Sequence, residues 1–267
     1  MAEKILLIDG NSIMNRAFYG LPDLTDASGR HTNAVYGFLN MMFRFIDEEK
    51  PDYLTVAFDM HAPTFRHKMY AAYKGTRKPA PEELHSQLAL IREVLDTMKV
   101  MRVEKEGLEA DDILGTLARK SEADGMEVSL ISGDRDLLQI SSEHILIRIP
   151  KTKAGGTEVE NYRPADVMER YKITPQGVID IKALMGDSSD NIPGVPKIGE
   201  KTASELMQKY GSLEGVYAHL DEITKKSVKE SLENNRELAD LSYKLATIKT
   251  DAEFDFTGAQ DSNQYFY

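Results

Sequence analysis

Five short apolar runs, each ending at an acid or a turn, constrain what this chain can fold into more than any other feature. Residues 5–8 run into Asp9 and residues 53–58 run into Asp59. Residues 100–103 precede Glu104 and the turn at Gly107; residues 127–131 precede Ser132-Gly133-Asp134; residues 145–149 end at Pro150. Between them lie stretches of helical periodicity at 35–47, 81–98 and 110–123. Strand and helix alternating in this way predict an α/β fold, a mostly parallel sheet with helices on both faces. In such sheets functional groups collect beyond the carboxyl ends of the strands. Asp9, Asp59 and Asp134 all fall at that position.

Strand signals stop after about residue 171. Helical patterns at 175–185, 200–210, 213–220 and 227–248 surround a Gly/Pro-rich stretch at 186–199. These patterns predict an α/β domain over 1–171, a helical subdomain over 172–256 and a loose polar tail over 257–267. With 267 residues and 41% hydrophobic content, there is enough apolar side chain for a sizeable core. The absence of cysteine excludes disulfides and thiolate metal sites. The first apolar run, four residues before Asp9, is too short for a signal peptide or a membrane span. A soluble cytoplasmic protein without a membrane partner is therefore expected.

The densest local signal is Gly107-Leu108-Glu109-Ala110-Asp111-Asp112. Glu109 and Asp112 are three apart, so at a helix start they share a face, with Asp111 beside them. Capping a helix needs one acid or two; three within four residues repel one another unless a cation sits among them. A second cluster, Ser132-Gly133-Asp134-Arg135-Asp136, follows a strand, where a plain Asp/Gly turn is the bland alternative. A third, Gly186-Asp187-Ser188-Ser189-Asp190-Asn191, has two more acids three apart. The first cluster alone is balanced between capping and metal binding, and the others alone are better explained by a turn or a helix end. Together they occupy the strand ends and helix starts that a parallel sheet draws to one place. Oxygen donors without Cys or His select Mg²⁺, with Mn²⁺ as the alternative, over Zn²⁺. Two such ions suit phosphodiester hydrolysis.

The net charge of −11 argues at first against a polyanionic substrate. The charge is unevenly spread, however. The segment 61–81 contains Arg66, Lys68, Lys74, Arg77 and Lys78 and no acid. On a helix, Arg66, Tyr70, Lys74 and Arg77 would form one basic face, with Tyr73 beside it to stack on an unpaired base. The turn-rich segment 191–199, with Asn191, Gly194, Lys197 and Gly199, opens a helix carrying Lys201 and Thr202. Backbone N–H groups at that helix start suit a phosphate, with contact independent of base sequence.

With these motifs in order, the sequence resembles the 5′-nuclease (flap endonuclease) family, and within it the N-terminal 5′→3′ exonuclease domain of bacterial DNA polymerase I. The resemblance runs from about residue 4 to about residue 256. It implies a PIN-like α/β sheet with a helical arch and a C-terminal helix–hairpin–helix (H3TH) element. It also implies structure-dependent cleavage of DNA at 5′ flaps, nicks and free 5′ ends, removal of RNA primers, and a role in replication and repair beside a fused or separate DNA polymerase. By similarity, Asp9, Asp59, Glu109 and Asp111 would form a first metal site. Asp112, Asp134, Asp136, Asp187 and Asp190 would form or support a second. Lys74 and Arg77 would steady the scissile phosphate, Tyr73 would stack on the adjacent base, and Arg66 would belong to the basic arch. The 191–199 hairpin would bind duplex, its carbonyls holding a K⁺.

Two other readings compete. A non-catalytic binder of DNA structures leaves the nine acids unexplained, since without metal they would repel DNA. A PIN-type ribonuclease shares the acidic sheet end but usually lacks a helical part like the one around 191–202.

Overall fold

The computed structural model describes residues 2–60, 62–153 and 156–253. Six strands form one sheet: β1 (Lys4–Asp9), β2 (Tyr53–Ala57), β3 (Met101–Val103), β4 (Glu127–Ile131), β5 (Ile145–Lys153) and β6 (Gly156–Tyr162). Their order is β3-β2-β1-β4-β5-β6. The first five are parallel, as the apolar runs predict, and β6 pairs antiparallel with β5. The sequence patterns do not foretell β6, and they end the preceding strand at Pro150. The strand in fact continues to Lys153. Pro150 lies beyond Arg148, the last residue paired with β4, and faces Val159 of β6. Its missing N–H therefore breaks no ladder on the β4 side.

Side chains of β1 alternate between two apolar layers. Leu6 and Ile8 pack with α1 (Gly10–Gly20), α2 (Asn33–Glu49) and α4 (Glu82–Thr97). Ile5 and Leu7 pack into the other layer with α5 (Ala110–Ala123). That second layer continues without a break into the helical part. It takes in Ala183 and Leu184 of α7 (Gly177–Met185), Leu206 and Met207 of α8 (Glu200–Tyr210) and Val216 of α9 (Leu213–Ala218). The short α6 (Pro164–Tyr171) contributes Val167. One continuous core thus fixes the helical part against the sheet.

Two helical expectations are revised. The 227–248 pattern divides into α10 (Lys226–Asn234) and α11 (Arg236–Ala246). Asn235, at φ −133° and ψ 31°, ends one helix and starts the next. The basic segment is not one helix. Its α3 (Phe65–Met69) stops after one turn at the extended Tyr70, and turns follow to residue 76. Lys74 has φ +54°, which a right-handed helix cannot contain. The expected tail over 257–267, and the end of the helical part at 254–256, lie outside the described residues.

Candidate metal centre and nucleic-acid interface

The carboxyl ends of β1, β2 and β4 open onto a polar cleft of about 380 Å³. Asp9, Asp59, Glu109, Asp111 and Asp134 line it, with Asn11, Ser12, Asn15, Lys74, Arg77 and Arg135. Local hydrogen bonds aim three of these acids. Asp9 caps α1, accepting from the Ser12 N–H at 2.9 Å and from the Ser132 hydroxyl at 2.7 Å. Asp59 accepts from the Ala110 N–H at 2.7 Å, which ties the end of β2 to the start of α5. Asp134 caps the 3-10 turn Arg135–Ile140 by accepting from the Asp136 N–H at 2.8 Å. Capping and ligation are thus not alternatives at Asp59 and Asp134, where one carboxylate oxygen holds the backbone and the other is left for the cleft, whereas both oxygens of Asp9 accept a hydrogen bond and keep only their remaining lone pairs. Ser12 and Ser132 were not singled out in the sequence. Ser12 accepts from the Gly133 N–H at 2.8 Å and Ser132 from the Asp134 N–H at 2.9 Å, so together they lock the β1 and β4 ends to each other.

Like charges in so small a space are costly. Burial, with added repulsion from Asp59 and Asp134, pushes Asp9 up to about 7. Burial and the neighbouring Asp134, Asp9 and Asp59 raise Asp111 well above the usual carboxylate range. Burial and Asp134 push Asp136 up to about 7. Without a cation among them, burial and mutual repulsion shift Asp9 and Asp111 toward the protonated form.

Four expected ligands do not line this cleft. Asp112 is wholly buried and is engaged by the Arg66 guanidinium at 2.7 and 2.8 Å. It also accepts from the Glu109 and Lys249 N–H groups at 3.1 and 2.9 Å. With two hydrogen bonds accepted by each oxygen, Asp112 stands here as a capping and ion-pairing residue behind the cleft and does not line it. Asp136 and Asp187 lie one on each side of the Lys182 ammonium. Burial works against the charge on Lys182, yet the two acids hold it above the ordinary lysine range. Lys182 lowers Asp187 to about 2 against the effect of burial. Lys182 was missed in the sequence; a single Lys inside the apolar helix Gly177–Met185 is the signal that would have found it. Asp190 accepts from the Tyr73 hydroxyl at 3.1 Å and pairs with Arg77.

The basic segment needs corresponding correction. Arg66 does not face solvent: its side chain is 3% exposed and donates to Asp112, Glu109 and the carbonyls of Leu245 and Thr247. Tyr73 is 3% exposed, packed with Ile179, Ile192 and Leu245, and its hydroxyl donates to Glu109 at 3.0 Å. Its ring is not presented for stacking on a base. Lys74 does reach the cleft, where Nζ donates to Glu109 at 2.7 Å, and Arg77 stands at the rim. Lys68 and Lys78 are exposed. In the hairpin, Gly194 is buried at φ +63° with its N–H on the Ser242 hydroxyl at 2.9 Å. A Cβ there would strike the backbone of Met185 and Gly186. Lys197 (φ +66°), Gly199 and Lys201 are exposed, and Thr202 is half-buried. Gly199 is the N-cap of α8, so the first N–H groups of that helix face outward.

The donor set fits hard divalent cations: five carboxylates at one sheet end, mutually repelling, with no sulfur or imidazole among the lining residues. Among the described residues, no three acids already stand at the close approach of a filled ligand shell. The acids are gathered and oriented, with Lys74 and Lys182 as internal counter-ions on Glu109 and on the Asp136–Asp187 pair.

Comparison with known proteins agrees with this arrangement. Residues 4–172 match the family "5'-3' exonuclease, N-terminal resolvase-like domain", and residues 173–264 match "5'-3' exonuclease, C-terminal SAM fold". DNA polymerase I of Bacillus caldotenax is 50% identical over 252 residues, covering 94% of this chain and 28% of that protein. The thermostable DNA polymerase I of Thermus thermophilus is 44% identical over 257 residues, 95% of this chain and 30% of that protein. The chain thus spans under a third of the length of these relatives. The solved structure of a bacteriophage T5 5′-exonuclease with zinc bound superposes with a TM-score of 0.75 at 21% identity, over 93% of this chain and 90% of that one. This likeness carries the fold, a PIN-like α/β domain with a C-terminal helical domain. The chain belongs to the 5′-3′ exonuclease family.

Proposed function

We propose that this chain hydrolyses DNA phosphodiesters from free or branched 5′ ends, cutting 5′ flaps and removing RNA primers in replication and repair. The observation that carries this reading is the convergence of Asp9, Asp59, Glu109, Asp111 and Asp134 on one cleft that Lys74 and Arg77 also line. A cleft with acids alone would repel a nucleic acid; Lys74, Arg77 and Arg135 along it give a phosphate somewhere to bind. Asp9, Asp59, Glu109, Asp111 and Asp134 would hold divalent ions, Mg²⁺ or Mn²⁺, with Asp136 and Asp187 supporting from beside Asp134. Two bound ions would lower the pKa of the attacking water and offset charge on the phosphate. Lys74, once parted from Glu109, donates to a phosphate oxygen. Arg77, already at the rim, fixes the neighbouring one. The exposed start of α8 with Lys197, Lys201 and Thr202 would take duplex phosphates, and carbonyls of the 191–199 hairpin a K⁺.

In this reading 1–171 carries the chemistry and 172–256 holds the duplex. The relatives' names support a fused or separate DNA polymerase as partner. No helix of the described residues is long and apolar enough to cross a membrane; action in the cytoplasm belongs to the same proposal. The test is a 5′-labelled flap substrate incubated with the full chain. Short labelled products should appear with Mg²⁺ and vanish with EDTA; products persisting in EDTA would remove the metal-dependent account.

A further inference from the structure

Two non-glycine residues in the left-handed region meet where the basic segment touches the hairpin: Lys74 at φ +54° and Asn191 at φ +55°. Such a backbone costs on the order of 1 kcal/mol and persists only where surroundings hold it. Asn adopts it readily; Lys74 needs support. Within its own segment the support is slight: three turn bonds, Tyr73 N–H to Tyr70 carbonyl at 2.9 Å, Gly75 N–H to Ala72 carbonyl at 3.0 Å, and Arg77 N–H to Lys74 carbonyl at 3.1 Å.

The Tyr73 and Lys74 side chains also bond Glu109 at the start of α5, and the remaining hold on the loop backbone comes from the hairpin. The Lys74 N–H donates to the Asp190 carbonyl at 2.8 Å, and Arg77 Nε donates to the Ser189 carbonyl at 3.2 Å. Asn191 Nδ2 donates to the Ala72 carbonyl at 2.6 Å, the same oxygen that closes the turn onto Gly75. The hairpin itself is firm. Asp187 and Ile192 exchange both backbone hydrogen bonds at 3.0 and 2.8 Å, Val195 donates to the Leu184 carbonyl at 2.8 Å, and Gly194 is bonded to Ser242 of α11. A weakly structured cationic loop is therefore fastened to a rigid anchor 119 positions away in sequence.

We propose that Asn191 is a positioning residue, whose amide holds the Ala72–Lys74 turn so that the Lys74 ammonium is presented to the carboxylate cleft. Tyr73 and Arg77 also reach Asp190, but replacing Arg77 alters the charge of the cleft, and replacing Tyr73 removes a buried ring and the donor to Glu109 and Asp190. The Asn191 amide is neutral. Its removal loosens the loop and leaves the acids and cations as they were. Its commitment to Ala72 also gives it a role other than the phosphate contact expected from the sequence. The catalytic part of this inference rests on the nuclease reading; the structural part does not.

The test uses the full chain and two variants, Asn191→Gly and Asn191→Asp. Glycine keeps the left-handed backbone and removes the donor without changing the charge, so it decides the case; aspartate keeps the shape, turns an acceptor toward the Ala72 carbonyl and adds one negative charge. Limited trypsin digestion reads the loop directly, through cleavage after Lys74 and Arg77. Both variants should be cut there about 3- to 10-fold faster than the parent chain, with a thermal midpoint close to the parent's. On flap DNA, kcat should fall about 10- to 100-fold while KM stays within about 2-fold, as for a misplaced catalytic group. Equal tryptic rates in parent and variants would overturn the latch. Faster digestion with unchanged kcat would overturn its catalytic role. A rise in KM with kcat intact would instead make Asn191 a substrate contact. If the parent chain cleaves no flap DNA, the nuclease reading fails while the digestion result still decides the latch.

Discussion

Arg66 and Asp112 form a two-pronged ion pair with nitrogen–oxygen distances of 2.7 and 2.8 Å and side-chain exposures of 3% and 0%. Arg66 comes from the basic segment and Asp112 from the first turn of α5, so the pair joins two stretches that the sequence marks for phosphate and metal. Its energetic weight lies in the cost of breaking it. Asp112→Ala would leave a buried guanidinium facing only Glu109 and two carbonyls. We expect a loss of about 3–5 kcal/mol in urea unfolding, with reduced cleavage following from the lost structure. Full stability with abolished cleavage would return Asp112 to the ligand set.

Asp134 should behave in the opposite way. Its charge helps to raise Asp9, Asp111 and Asp136, so it stresses the metal-free fold while serving the site. Asp134→Asn is expected to abolish flap cleavage, retain DNA binding, and raise metal-free stability by about 1 kcal/mol. Chemical denaturation in EDTA beside the flap assay checks both. A destabilised variant would show that Asp134 acts mainly as a cap for the turn that follows it.

The same pKa shifts set a pH dependence. Asp9 and Asp136 rise from 3.8 to about 7 in the folded chain. Between these values the native state holds protons that the unfolded chain has released. Metal-free stability therefore falls as pH rises through that window, and the loss is complete above about 7. Mg²⁺ competes with those protons, so its stabilising effect grows over the same range. Thermal midpoints with and without excess Mg²⁺ should diverge from about pH 5 to about pH 8. A constant gap would mean that these carboxyls do not bind the ion.

How far the sequence could be read follows from what each signal measures. Apolar runs ending in acids report a parallel sheet directly, because a strand buried on both faces must be apolar throughout; β1, β2 and β4 and the acids after them were legible for that reason. The α5 helix was legible from its period. β6 was not, because its pairing partner extends through Pro150, a residue that reads as a stop. The burial of Arg66, Tyr73 and Asp112 was not legible, for a common reason. Spacing along a helix reports which residues share a face, but not whether that face meets solvent or another element. Charge and aromatic character suggested contact with DNA, whereas α7 and α11 bury Tyr73 and the carbonyls of Leu245 and Thr247 enclose Arg66. Lys182 went unseen because its two partners are 46 and five positions away.

The account stands on the ability of the acid cleft to take up divalent cations. Titrating the metal-free chain with Mn²⁺, with free ion followed by electron paramagnetic resonance, measures that capacity without recourse to catalysis. Saturable uptake of about two ions per chain is predicted, reversed by excess Mg²⁺ and lost in part when Asp111 is changed to Asn. Absence of saturable uptake, or uptake unaltered by the Asp111→Asn change, would contradict it.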